Sequence, residues 1–245
     1  MTTNLFGIHA VQAALEYAPQ TIKQIWVDAQ RQDQRLSKLL EDLAKQGLFP
    51  EKTERRKLDK LSDGKNHQGI VAAVELPAMR DEDRLKDDFA GLSTTPLYLV
   101  LDQVQDPHNL GACLRTADAV SASGIIITKD NAVGITPTVC KVASGAAETM
   151  PVYQVTNLAR VLRWLKQQNV WIMGTAGEAE QTLYQMSLDM PLAIVMGAEG
   201  TGMRHLTRQH CDFLVKIPMT GQVESLNVSV ASGVMLYEVF RQRHL

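Results

Sequence analysis

The sequence predicts an α/β protein in two parts: a small N-terminal α/β domain, then a larger α/β domain built on a parallel sheet. Three observations lead there. Apolar runs without polar alternation recur at residues 97–101, 125–127, 170–173, 192–196 and 213–215. Strands buried on both faces read this way, as they do in a parallel sheet covered by helices. Helical patterns lie between the runs, and 245 residues suffice for one large core or two modest ones.

Taken in order, Ile25-Trp26-Val27 and Ile70-Val71-Ala72-Ala73-Val74 are short β-type runs. Between them Leu36, Leu39, Leu40 and Leu43 recur on one helical face. These elements define the first domain, residues 1–76. Residues 77–96 hold Asp81, Glu82, Asp83, Asp87, Asp88 and Ser93-Thr94-Thr95 with little apolar periodicity, and are read as a linker. The alternative is a short solvated helix over 82–90 inside one continuous domain. The second domain, 97–245, carries the five buried runs. Leu158, Val161, Leu162 and Leu165 mark one covering helix, and Leu226, Val230, Val234 and Tyr237 another.

Composition excludes several classes. Aromatics make up 5% of the chain, too few for broad base-stacking platforms, and the net charge of −2 gives no global nucleic-acid signature. Any RNA contact must come from a local patch. One exists: Lys52, Arg55, Arg56, Lys57, Lys60 and Lys65, among Glu54, Asp59 and Asp63, although such clusters are more often solvated faces. The N-terminus lacks a basic stretch before its apolar residues, Glu16 interrupts them, and no run reaches the ~20 apolar residues of a spanning helix. A cytoplasmic protein without a membrane partner is expected. Cys113, Cys140 and Cys211 are widely spaced and form no C-x-x-C pair, which points to reduced thiols. The histidines show no metal-ligand spacing and no Ser-His-Asp order appears, so no metal is expected.

Three segments carry the chemistry. In the first, a strand ends at Asp102, Asp106-Pro107 signals a turn, and Asn109 is read as the helix N-cap. Gly111 falls one turn before Arg115 on the same face, leaving room for a ligand beside the guanidinium. The second, Gly197-Ala198-Glu199-Gly200-Thr201-Gly202, follows the strand at 192–196, where ligands of open α/β sheets bind. Its G-x-x-G-x-G spacing is not the dinucleotide fingerprint, and a ligand-free turn competes with a nucleotide loop. The third runs from Ile217-Pro218-Met219 to Ser225-Leu226-Asn227-Val228-Ser229, with Ser225 read as N-cap of the last helix. An asparagine near a helix start, such as Asn227, more often caps locally than binds a ligand. Three such loops at strand ends in one sheet outweigh these separate alternatives.

Asn109-x-Gly111-x-x-x-Arg115, Gly197-x-Glu199-Gly200-x-Gly202 and Ile217-Pro218-Met219…Ser225-Leu226-Asn227-Val228-Ser229 resemble, in order, the three motifs of the SPOUT (SpoU-TrmD) methyltransferases, SpoU branch. The resemblance covers residues 97–243. Gly7-Ile8-His9-Ala10-Val11 and His67-Gln68-Gly69-Ile70 resemble the branch's substrate-binding domain. Within the branch the chain is most similar to members that methylate a guanosine ribose in the peptidyl-transferase loop of 23S ribosomal RNA. The resemblance implies a trefoil knot in the second domain, a homodimer, and S-adenosyl-L-methionine as methyl donor. It assigns Thr175, Gly197, Ile217, Met219 and Leu226 to the donor. Arg115, Asn109, Glu199, Ser225 and Asn227 become the catalytic set, with Asn109 and Glu199 positioning Arg115, and the first domain holds RNA. Rivals are a sister enzyme acting on tRNA or on an rRNA adenosine, and a non-catalytic RNA-binding assembly factor. An NAD enzyme is disfavoured by the glycine spacing.

Overall fold

The computed structural model describes residues 2–31, 33–198 and 200–244. The chain divides into two compact units. One holds residues up to Pro77 together with Thr136–Lys141; the other holds Ala78–Ile135 and the chain from Val142 onward.

The first unit contains β1 (Thr2–Phe6), α1 (Ile8–Tyr17), β2 (Ile22–Asp28), α2 (Gln34–Lys45), β3 (Glu51–Thr53), α3 (Arg55–Leu61) and β4 (Ile70–Glu75). The sheet order is β1-β4-β2-β3. β4 runs antiparallel to β1 and β2, while β3 is parallel to β2. As the central strand, β4 is buried along Ile70–Val74, which explains its unbroken apolar run. α2 starts where the Asp33 carboxylate accepts from the Arg35 and Leu36 amides, and it buries Leu36, Leu39 and Leu43.

The second unit holds α4 (Glu82–Ala90), β5 (Leu97–Asp102), α5 (Pro107–Ala119), β6 (Gly124–Thr128), α7 (Ala146–Thr149), β7 (Val152–Val155), α8 (Leu158–Gln167), β8 (Trp171–Thr175), β9 (Gln181–Thr182), β10 (Leu192–Gly197), α9 (His205–Gln209), β11 (Phe213–Lys216) and α10 (Val228–His244), with α6 (Pro137–Ala143) crossing the division between units. Its sheet runs β7-β6-β5-β10-β8-β11-β9 and every strand pairing is parallel. The five predicted apolar runs are β5, β6, β8, β10 and β11. On one side Val161, Leu162 and Leu165 of α8 pack with Tyr98, Val100, Ile126 and Val195.

Residues 77–96 are expected as a linker, but from Ala78 onward they belong to this unit. Arg80 pairs by its backbone with Val152 and Gln154, widening the sheet beyond β7. Its guanidinium reaches Asp88 at 2.5 Å, and the same carboxylate oxygen accepts from the Tyr153 hydroxyl at 3.0 Å. α4 buries Leu85 completely. One anchoring leucine leaves no apolar periodicity to detect, and Glu82, Asp83 and Asp88 are spent on ion pairs. Among the described residues no helix is long and apolar enough to cross a membrane.

Candidate active site

Because the strands are parallel, their carboxyl ends share one edge. β5 leads outward to β6 and β7, whereas β10, β8 and β11 fill the other side, so the order reverses beside β5. Ligands of open α/β sheets bind at such a reversal. Gly197 closes β10 directly opposite Asp102, the last residue of β5. Thr175 closes β8, its hydroxyl donating to the Val195 carbonyl at 3.2 Å. Ile217 and Met219 lie just past β11, and residues 217–227 lead from there to α10.

The loop after β10 is fastened to its own strand. The Ala198 and Gly202 peptides exchange hydrogen bonds of 3.2 and 2.9 Å. A Cβ on Gly197 would stand 2.1 Å from the Gly202 carbonyl carbon, so only glycine fits there. The close approach expected of a ligand is made at Gly197 by the chain itself. Gly200 and Gly202 take φ of 78° and 68°, with open space where their side chains would be. These are the positions left accessible to a ligand.

Asp102 holds the far end of this loop, a role its sequence position did not disclose. Its buried carboxylate accepts from the Arg204 backbone amide at 3.0 Å and from Arg204 Nε at 2.7 Å. An acidic residue closing an otherwise apolar strand was the available signal. Glu199 lies outside the described residues.

α5 and α10 pack side by side with both N-termini at the same end. Asn227 Nδ2 donates to Asn109 Oδ1 at 2.9 Å, across 118 positions of sequence. One turn further, the Cys113 thiol faces the Ser232 hydroxyl at 3.6 Å. Burial pushes the Cys113 thiol up to about 11, with Ser232 partly opposing, so it stays protonated near neutral pH.

Two expected caps are corrected. Asp106, not Asn109, caps α5: its carboxylate accepts from the His108 amide, and Pro107 supplies the first helical φ. Asn109 sits inside the first turn, buried at 5% exposure. Asn227, not Ser225, caps α10, its Oδ1 accepting from the Ser229 amide at 2.9 Å and the Val230 amide at 3.4 Å. Ser225 is exposed and Leu226 half-buried in the irregular approach to the helix.

Arg115 lies six residues beyond Asn109 on α5, exposed, with a long 3.4 Å hydrogen bond to the Ser144 hydroxyl. Six residues are about 9 Å of helix. No hydrogen bond among the described residues joins it to 200–202, 217–219 or 225–229. Gly111, one turn before it, is buried. The structure therefore gathers Thr175, Gly197, Ile217, Asn109 and Asn227 at one edge and leaves Arg115 on an outer helix face.

This edge suits a nucleoside cofactor. Among the described residues, 217–226 make no backbone–backbone hydrogen bond, which leaves their peptide groups available to a ligand's polar rim. Gly177, Gly200, Gly202 and Gly221 have open space beside them. No cluster of His, Cys, Asp or Glu among the described residues is placed to hold a metal.

A glycine loop and two helix N-termini at the reversal of a parallel sheet form the frame of a cofactor-dependent α/β enzyme. The chain belongs to the SpoU rRNA Methylase family, whose profile matches residues 96–237. Residues 5–79 match the RNA 2'-O ribose methyltransferase substrate-binding family. Its fold class is accordingly the knotted parallel α/β class with an N-terminal substrate-binding domain. The 23S rRNA (guanosine-2'-O-)-methyltransferase RlmB of Pseudomonas putida is 53% identical over 98% of this chain and 97% of its own. RlmB of Escherichia coli K12 is 51% identical over 99% and 100%. Among solved structures, the SpoU methyltransferase AviRb of Streptomyces viridochromogenes, in complex with AdoMet, aligns with a TM-score of 0.64 and 25% identity over 99% of this chain and 90% of its own. An RNA 2'-O ribose methyltransferase aligns at 0.58 and 29% identity over 100% and 90%.

Proposed function

We propose that this protein transfers the methyl group of S-adenosyl-L-methionine to the ribose 2′-oxygen of a guanosine in 23S ribosomal RNA, within the peptidyl-transferase loop. The observation that carries this is half-identity to RlmB enzymes along essentially the full length of both chains. The strand-end site supports it. Thr175, Gly197, Ile217, Met219 and Leu226 hold the donor, and residues 1–76 hold the RNA that 97–245 methylates.

The bound donor supplies a sulfonium methyl group open to in-line displacement. A ribose hydroxyl is a weak nucleophile and must lose its proton as its oxygen attacks. A guanidinium keeps its own protons, so Arg115 stabilises the developing alkoxide and neighbouring phosphate. The proton passes to a phosphate oxygen or water. Asn109 steadies Asn227 and, with it, the start of α10; Glu199 serves to position Arg115, and Ser225 and Asn227 serve the donor methyl and the ribose.

The protein works as a homodimer in the cytoplasm, where its RNA is. Val230 and Tyr237 of α10, expected from the sequence to cover the sheet, are about half exposed instead, an apolar face that a second copy covers. A partner also offers a route for Arg115 to reach a site that its own chain does not bring to it. Mapping 2′-O-methylation in 23S rRNA with and without the protein tests the function; an unchanged map rejects it. In Arg115→Lys, turnover falls at least tenfold with donor affinity kept, because charge survives but the planar fork does not. Unchanged turnover removes Arg115 from the reaction.

A further inference from the structure

The first unit carries a polar cavity of about 280 Å³. Asp28, Arg31, Arg55, Asp59, Lys65 and His67 line it, together with Gly64, Asn66, Gln68 and Gly69. No hydrocarbon side chain lines it, so it does not suit an apolar ligand.

Its walls are fixed by internal bonds. His67, 4% exposed, accepts from the Gly69 amide at Nδ1, so Nε2 carries the proton and donates to Asp59 Oδ1, each at 3.0 Å. Asp28 Oδ1 accepts from the Gln30 amide at 3.0 Å. Each carboxylate thus spends one oxygen on the wall and keeps the other. Arg31 is neutralised by Asp33 at 2.6 Å. Lys65 lies over the Phe6 ring, 5.5 Å from its centre, which does not cancel its charge. Arg55 is exposed and, among the described residues, has neither ion-pair nor hydrogen-bond partner.

Two unneutralised cations and two half-used carboxylates around one small space define a ligand with an anionic end and an N–H-bearing edge. A nucleotide has both. A paired helix cannot enter so small a cavity, whereas a base turned out of its stack can be read on its edge in this way. The geometry points to a receptor for one unpaired nucleotide of an RNA strand. Arg55 and Lys65 meet its phosphate, and the free carboxylate oxygens of Asp28 and Asp59 meet its base. This rests on the RNA methyltransferase reading and adds where the first unit grips its substrate.

The test uses the full-length protein and fluorescence anisotropy. The probes are a labelled hairpin with an unpaired loop, a fully paired RNA duplex of equal length, and guanosine 5′-monophosphate as competitor. Arg55 and Lys65 are exposed, so Arg55→Ala/Lys65→Ala keeps the fold. Lys23→Ala is the control, since Lys23 pairs with Glu75 at 2.9 Å and does not line the cavity. Hairpin affinity is expected to fall about tenfold in the double variant, with the salt dependence shallower by about one ion per cation removed. Duplex binding and the control should stay within about twofold. Equal losses on hairpin and duplex, or unchanged hairpin affinity, overturn the proposal. Guanosine monophosphate binding as tightly as the hairpin also overturns it, by making the cavity a free-nucleotide site. Methyl transfer by the wild-type protein is scored separately. A wild type that shows the hairpin pattern yet transfers no methyl supports the cavity and rejects the enzyme. A methylating wild type whose double variant binds normally rejects the cavity alone.

Discussion

The segments after β10 and after β11 close neighbouring regions of one sheet edge, yet they are built in opposite ways. Residues 198–204 are tied at both ends, by the Ala198–Gly202 peptide pair and by Arg204 on buried Asp102. Residues 217–226 make no backbone–backbone hydrogen bond among the described residues, and they end at Asn227, which caps α10 and bonds Asn109. One half of the candidate cofactor site is thus held by its own hydrogen bonds, and the other carries none between backbone groups among the described residues. A preformed loop lowers the ordering cost of binding, while an open one permits entry and release.

Substitutions can break or sharpen that contrast. Gly197→Ala should have the largest effect, because its methyl meets backbone at 2.1 Å and neither side can yield cheaply. We expect ~3 kcal/mol of destabilisation and loss of measurable donor binding by calorimetry. Asp102→Asn comes next. It leaves Arg204 without its charged acceptor and should cost about 2 kcal/mol, with donor affinity down roughly tenfold. If amide exchange in 198–204 stays slow in that variant, the ion pair is not what fastens the loop. Asn227→Ala removes the α10 cap and the link to Asn109, for about 1–2 kcal/mol by denaturant unfolding. Gly221→Ala should be the mildest. With φ outside the left-handed region and nothing within 4 Å, it should change stability by less than about 0.5 kcal/mol. A large loss there would mean that 217–226 is as constrained as its neighbour.

The sheet was legible because parallel strands buried on both faces leave unbroken apolar runs, as at 97–101 and 192–196. The helix at 82–90 leaves little trace in the sequence, since Leu85 alone buries fully and one residue has no period. The two misplaced caps have a common cause. Asp106 and Asn109, like Ser225 and Asn227, are all good capping residues, and the choice depends on where the first helical hydrogen bond forms, which tertiary packing decides. At Gly197 the demand for glycine comes from Gly202 five residues on, a collision that only the folded loop creates.

The sheet order also constrains how the chain reaches its native state. β10 lies between β5 and β8, yet both precede it in sequence. During synthesis two long apolar edges exist before the strand that separates them, and each is a template for wrong pairing. Assembly must wait for residues 192–197 to slide into that gap, so maturation should be slow and sensitive to chaperones at this step.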